Sequence, residues 1–281
     1  MRPQKTLAQA VELEGLGVHS GRPVRLKLIP SPDGTIVFRR SDLNGAELGL
    51  GPDRVESRNS TTLVGESFKV QTVEHLLAAL FAFGVSSLVV DLDADEVPIM
   101  DGSARPFVQA LQRAGFTELQ VLRPELRLTK IAQREEGDAW VRLEPVAEGT
   151  GLILDYTIVY GHPLIGTQNR GLRLTPESFA AEVAPARTFG FLKDVEFYHK
   201  QGLALGASFD NTVVLDENAV VNPPLRFPDE FVRHKLLDIT GDLALLGRPL
   251  SAKVTAYKAG HRLHLETVRF LLSHPEYWIE D

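Results

Sequence analysis

Phe231-Val232-Arg233-His234-Lys235-Leu236-Leu237-Asp238-Ile239-Thr240-Gly241-Asp242-Leu243 reads as a helix whose polar groups fall at one-turn intervals. His234 and Asp238 are four apart, so they project from one face, and Asp242 lies one turn further along. An earlier stretch, Gln71-Thr72-Val73-Glu74-His75-Leu76-Leu77-Ala78-Ala79-Leu80-Phe81-Ala82-Phe83, keeps Val73, Leu76, Leu77 and Leu80 at helical spacing. Thr72 is placed to cap it and Gly84 to end it. Superposing His75 on His234 lays Val73-Glu74-His75-Leu76-Leu77 over Val232-Arg233-His234-Lys235-Leu236, and in both places a helix, a glycine and then a strand follow. That internal similarity points to a duplicated unit.

Working outward, short strand-like runs at 24–29 and 35–39 flank the turn Ser31-Pro32-Asp33-Gly34, and another run follows the first helix at 87–92. A loop with Val97-Pro98-Ile99-Met100-Asp101-Gly102-Ser103 then leads to a short helix at 106–114. After a linker around 121–124 the pattern restarts, with strands at 125–130, 139–145, 152–159 and 251–257. The expected architecture is α+β: two similar domains, 1–121 and 125–281, each a sheet packed against helices. The two histidine helices would face each other in a two-layer sandwich, and the interdomain cleft would hold the active site.

Composition narrows the chemistry. At 281 residues, 43% hydrophobic and 24% charged, the chain is long enough for one large core or two smaller ones. A net charge of −7 without a block of like charges argues against nucleic acid as a partner, while leaving room for a local basic pocket. With no cysteine, thiolate ligation and disulfides are excluded, so a metal must take His, Asp or Glu. No signal-peptide-like run or stretch of about 20 apolar residues is present, so a cytoplasmic monomer without stable membrane insertion is expected.

His234, Asp238 and His75 together offer two imidazoles and a carboxylate, leaving a coordination position open for water, the plan of a catalytic zinc site. Glu74, beside His75, is placed to take that water's proton. His261, after the strand in Ala256-Tyr257-Lys258-Ala259-Gly260-His261, would be held protonated by Asp242. Taken singly, each piece has a plainer explanation. His-x-x-x-Asp pairs are common surface or core coincidences, Glu-His before an apolar run suits any amphipathic helix, and Asp101-Gly102 or Gly260-His261 can be simple turns. His19, in Gly15-Leu16-Gly17-Val18-His19-Ser20-Gly21, either lines the site or makes a structural turn.

The whole assembly, however, resembles the bacterial UDP-3-O-acyl-N-acetylglucosamine deacetylases over about residues 6–272. The resemblance is carried by Thr72-Val73-Glu74-His75-Leu76-Leu77-Ala78-Ala79-Leu80, Pro98-Ile99-Met100-Asp101-Gly102-Ser103-Ala104, Ala186-Arg187-Thr188-Phe189-Gly190-Phe191, Asp229-Glu230-Phe231-Val232-Arg233-His234-Lys235 and Ala256-Tyr257-Lys258-Ala259-Gly260-His261. It implies removal of the acetyl group from a nucleotide-linked, 3-O-acylated glucosamine, the committed step of lipid A synthesis, with Zn2+ held by His75, His234 and Asp238. It also implies Glu74 as base, His261 supported by Asp242, and Thr188 as a hydroxyl that stabilises the oxyanion. Lys235 matches a phosphate-side lysine, and Tyr160 an aromatic that stacks on uracil. Phe189, Leu192, Ser208 and His19 fall among the substrate-contacting stretches.

Residues about 190–214 resemble the family's βαβ insert, which forms a hydrophobic tunnel for the acyl chain. Some positions depart from the usual pattern: Ala207 and Thr212 in the tunnel segment, Ser60 in place of a common cysteine, Val159 in place of an acidic residue, and His264 in place of an asparagine. Acyl length and uracil recognition therefore stay open. Two other readings remain at this point: an amidase for a different acylated amino sugar, and a non-catalytic binding protein on the same scaffold.

Overall fold

Along Pro23–Pro30, Val24, Leu26 and Leu28 are buried while Arg25 and Lys27 face solvent, the period-two pattern of a strand with one covered face. A computed structural model of the chain describes residues 2–57 and 59–281. Its first half holds a five-stranded sheet in the order Val11–Leu16, Pro23–Pro30, Leu88–Leu92, Ile36–Arg40, Ala46–Gly49. The central Leu88–Leu92 runs antiparallel to Pro23–Pro30 and parallel to Ile36–Arg40.

The second half repeats that order with Ala132–Glu136, Ala139–Glu144, Leu250–Tyr257, Leu152–Val159 and Thr167–Arg173. Here Leu250–Tyr257 is central, antiparallel to Ala139–Glu144 and parallel to Leu152–Val159, and Leu126–Leu128 with Trp278–Glu280 extends the sheet. In both halves the central strand is the one that follows the histidine helix. The internal similarity read from two short helices thus extends to sheet topology, and the α+β architecture of two related halves is as expected.

The helices are α1 (Glu74–Ala82), α2 (Arg105–Ala114), the single turn α3 (Pro176–Ser178), α4 (Val195–Lys200), α5 (Glu230–Leu243) and α6 (His261–Ser273). α1 packs lengthwise on α5, α2 lies against α1, and α6 lies against α5 and the strands Ala132–Glu136 and Ala139–Glu144. Sandwiched this way, α5 is buried at every position except Lys235, and α1 at every position except Phe81. Buried helices ordinarily carry apolar residues all round. These carry Glu74, His75, Arg233, His234, Asp238 and Asp242 inside, a burial that is costly unless each group finds a partner.

Two local expectations change. Thr72 does not cap α1: it adopts φ 58° and its hydroxyl donates to Glu96 (3.0 Å), while Val73 occupies the cap position. Gly84 does end that helix, with φ 70°. The linker is shorter than the composition implied, because Phe116–Arg123 is a strand that pairs with Arg2–Leu7 and carries the first half up to Arg123. Phe189–Phe191 and Val213–Leu215 pair in parallel around α4, forming a βαβ excursion. Among the described residues, no helix is long and apolar enough to cross a membrane.

Candidate active site

The N-terminal half of α1 and the middle of α5 bring His75, His234 and Asp238 together, with one ligating atom of each within 4.8 Å of the others. Asp238 Oδ1 lies 3.4 Å from His234 Nε2 and 3.9 Å from His75 Nε2, and the two rings meet edge to face at 5.1 Å. All three are buried. His234 Nδ1 is 3.1 Å from the carbonyl of Ala186, so that nitrogen donates and Nε2 keeps a free lone pair. His75 Nδ1 is buried without a hydrogen-bond partner among the described residues. Burial, then the neighbouring His234, push the His75 imidazole down to about 3, which keeps it neutral and ligand-competent. For Asp238, burial opposes ionisation but Lys235 and the histidines outweigh it, holding the carboxylate far below its ordinary range. Two neutral imidazoles, one of them unsatisfied, beside a carboxylate form a donor set that fits a divalent cation of the zinc type.

Glu74 and His261 flank this trio. Glu74 Oε2 accepts from the Thr61 amide at 3.0 Å, and its other oxygen lies 3.9 Å from His261 Nε2. Desolvation raises the Glu74 carboxyl to about 7 against the pull of His261. His261, the first residue of α6, is 2.7 Å from Asp242 through Nδ1, with Nε2 turned to the cluster 3.8 Å from Asp238. Burial works against its charge, but Asp242 and Asp238 outweigh it and push it up to about 10. A carboxylate with its proton affinity tuned near neutrality and an imidazolium held charged therefore stand 3.9 Å apart beside the trio, a pairing suited to proton transfer in hydrolysis.

Lys235 reaches back to Asp238 (2.7 Å) and lies 5.9 Å over the ring of Phe189. Phe189 in turn packs on Phe231 (5.1 Å), Tyr160 (5.7 Å) and His234 (6.3 Å), so Tyr160 and Phe189 form an aromatic wall continuous with the trio. Thr188 stands half-buried between Arg187 and Phe189, its backbone tied to Gly102 and Val213. Arg187 is anchored to the fully buried Glu230 at the start of α5 (2.9 Å), which fixes the 186–188 segment against the helix that carries His234.

His19 and Ser208 sit elsewhere. His19 lies in a loop whose amides at 19 and 20 donate to Glu96, and it meets the excursion through Ala204 and Leu205. Ser208 caps the turn into Asn211. No contact joins either residue to the trio among the described residues. Leu192 is 51% exposed on the excursion, and Phe197, Leu205 and Phe209 of the same segment are exposed as well.

Sequence reasoning passed over Thr61, whose hydroxyl donates to Asp242 Oδ1 at 2.5 Å, and Glu96, a fully buried carboxylate shared by His19, Ser20 and Thr72. Thr61 carries no spacing signal. Its relation to Asp242 spans 181 positions and exists only in the fold.

Two buried imidazoles and a carboxylate at the seam of two related α+β halves, flanked by a tuned carboxyl and a charged imidazole, define a metal-dependent hydrolase. Residues 4–273 match the family described as UDP-3-O-acyl N-acetylglycosamine deacetylase, and the chain belongs to that family. Similar proteins named UDP-3-O-acyl-N-acetylglucosamine deacetylase include that of Pseudoalteromonas translucida (strain TAC 125), 43% identical over 99% of this chain and 93% of its own length. That of Nautilia profundicola (strain ATCC BAA-1463 / DSM 18972 / AmH) is 43% identical over 94% of this chain and 90% of its own length. That of Thioalkalivibrio sulfidiphilus (strain HL-EbGR7) is 42% identical over 98% and 91%.

Proposed function

We propose that this chain hydrolyses the N-acetyl group of UDP-3-O-acyl-N-acetylglucosamine, releasing acetate and UDP-3-O-acyl-glucosamine, in the cytoplasmic committed step of lipid A biosynthesis. Family membership over nearly the whole chain supports the reaction. The observation that carries the site assignment is the convergence of His75, His234 and Asp238 between Glu74 and His261. In this reading His75, His234 and Asp238 hold Zn2+, which when bound supplies Lewis acidity to the amide carbonyl and to water.

The chain's own residues then position groups and move protons. Glu74 takes a proton from the attacking water through a carboxylate oxygen. His261, kept charged by Asp242, faces the reacting centre through Nε2 and either protonates the departing amine or steadies negative charge. The Thr188 hydroxyl donates to the amide oxygen as charge develops there. Lys235 neutralises a phosphate-side oxygen of the nucleotide, Tyr160 and Phe189 offer flat faces to the base and sugar, and the apolar residues around Leu192 take the acyl chain. His19 and Ser208 help shape the entrance to that chain.

The test is acetate release from UDP-3-O-(3-hydroxyacyl)-N-acetylglucosamine by zinc-loaded protein, alongside Glu74→Ala and a chelator-treated sample restored with zinc. Release that needs both Glu74 and zinc is expected. Full turnover by the Glu74→Ala protein would remove Glu74 as base, and zinc-bound protein inert on this substrate would redirect the reading to another acylated amino sugar.

A further inference from the structure

His264 stands one turn along α6 from His261, so both imidazoles project from the same face of that helix's first turns. Each places Nδ1 2.7 Å from the same oxygen of Asp242, Oδ2, while Thr61 donates to Oδ1. Asp242 is 1% exposed and His264 1% exposed, so neither is set by water. On its far side His264 Nε2 is 3.0 Å from the hydroxyl of Tyr156, which is also 2.7 Å from the carbonyl of Ala259, two residues before His261.

Tyr156 has a single phenolic proton, which goes either to Ala259 or to His264 Nε2, and in either arrangement a carboxylate at Nδ1 only accepts. His264 Nδ1–H is therefore a donor to Asp242 in every protonation state that satisfies the cluster. His261 must likewise present Nδ1–H, which turns Nε2 towards Glu74 and Asp238.

We propose that His264 is a positioning residue for the deacetylation. With Tyr156 behind it, His264 pins Oδ2 of Asp242 so that His261 is held in the rotamer and tautomer that point Nε2 at the reacting centre. This rests on the functional reading above. A carboxylate on a free torsion swings, whereas one clamped by three donors, from Thr61, His261 and His264, has no alternative orientation that keeps its bonds. His264 touches no reacting atom in this scheme, and its effect is exerted wholly through Asp242.

The experiment compares His264→Leu, which removes the donor, with His264→Asn, whose amide restores one. In zinc-loaded protein, His264→Leu is expected to lower kcat by about tenfold or more with KM nearly unchanged, and His264→Asn to recover most of that loss. A fall confined to KM, or equal activity in the two variants, overturns the proposal. A second readout needs no substrate: the imidazole nitrogen and proton NMR signals of His261. They are expected to keep their Nδ1–H signature in wild type and His264→Asn and to lose it or broaden in His264→Leu. Unchanged His261 signals in His264→Leu would refute the clamp whether or not the wild type releases acetate. If His264→Leu fails to fold, the Asn variant decides alone: wild-type-like His261 signals and kcat support the clamp, and their loss in folded protein overturns it.

Discussion

Gly241 of α5 lies directly against the backbone of Glu74 in α1: a Cβ added at Gly241 would come within 2.1 Å of the Glu74 carbonyl oxygen. The absence of a side chain there lets the two helices approach closely enough for His75 to meet His234. Helix propensity alone would make Gly241→Ala stabilising by about 1 kcal/mol. The backbone clash has the opposite sign, since overpacking costs about 1–3 kcal/mol and must spread the helices. Gly241→Ala is expected to lower Tm by about 2–3 °C and to reduce bound zinc. Gly51→Ala, whose added methyl meets nothing within 4 Å, should change neither. Calorimetry with metal analysis checks both, and a rise in Tm for Gly241→Ala would refute the clash.

The pH profile follows from the two groups that flank the trio. In its proposed role as base Glu74 must be ionised, so with its carboxyl raised to about 7 by burial, activity should climb with pH up to that region. A bound divalent cation draws this limb lower. In its proposed role His261 must be protonated, so with its imidazole pushed up to about 10 the rate should fall as pH rises through that value. Steady-state kcat/KM against pH should be bell-shaped. Asp242→Asn removes the leading charge that supports His261 and should move the alkaline limb to lower pH. An alkaline limb that stays in place would separate it from His261.

The Arg187–Glu230 pair is a stability element. Glu230 accepts from Arg187 Nε at 2.9 Å, from the Arg187 amide at 3.0 Å and from the Arg226 amide at 2.6 Å, at zero exposure. Glu230→Ala strands a buried guanidinium and should cost about 3–5 kcal/mol in urea unfolding. Burial opposes ionisation of Glu230, but Arg187 outweighs it and holds the carboxyl below its ordinary 4.5. A depressed carboxyl contributes stability that is complete above the unfolded value and is lost as pH falls through the folded one. Wild type should therefore lose this contribution on acidification below about pH 4.5, and Glu230→Ala should show a shallower acid dependence there.

On the βαβ excursion, Leu192→Asp should act on substrate rather than on folding, because Leu192 is already 51% exposed. Placing charge where an acyl chain would be covered should reduce kcat/KM for a long-chain substrate by about tenfold while sparing a truncated analogue. Equal loss on both substrates would remove Leu192 from the acyl-binding surface.

Much of this was legible in the linear chain. The apolar spacing of residues 73–80 and the turn spacing of His234, Asp238 and Asp242 identified the two helices, because helical periodicity depends only on residues a few positions apart. Superposing the two histidines also exposed the duplication, which the sheet order then extended to five strands in each half. Reading Thr72 as a cap failed because Glu96, distant in sequence, competes for its hydroxyl. The strand Phe116–Arg123 stayed hidden because its positions are mostly exposed and carry no burial alternation.

By itself, then, the sequence determined the donor types, the helix faces that bear them and the repeat that sets two such helices in one chain, all consequences of local spacing and residue chemistry. Tertiary structure alone decided the distances: His75 to Asp238 across two helices, Thr61 to Asp242 across 181 positions, and His264 joined with His261 on one carboxylate oxygen. Such contacts arise from how two sheets press their helices together, and proton affinities in a buried cluster depend on those distances and on the exclusion of water, neither of which is written in the spacing of residues along the chain.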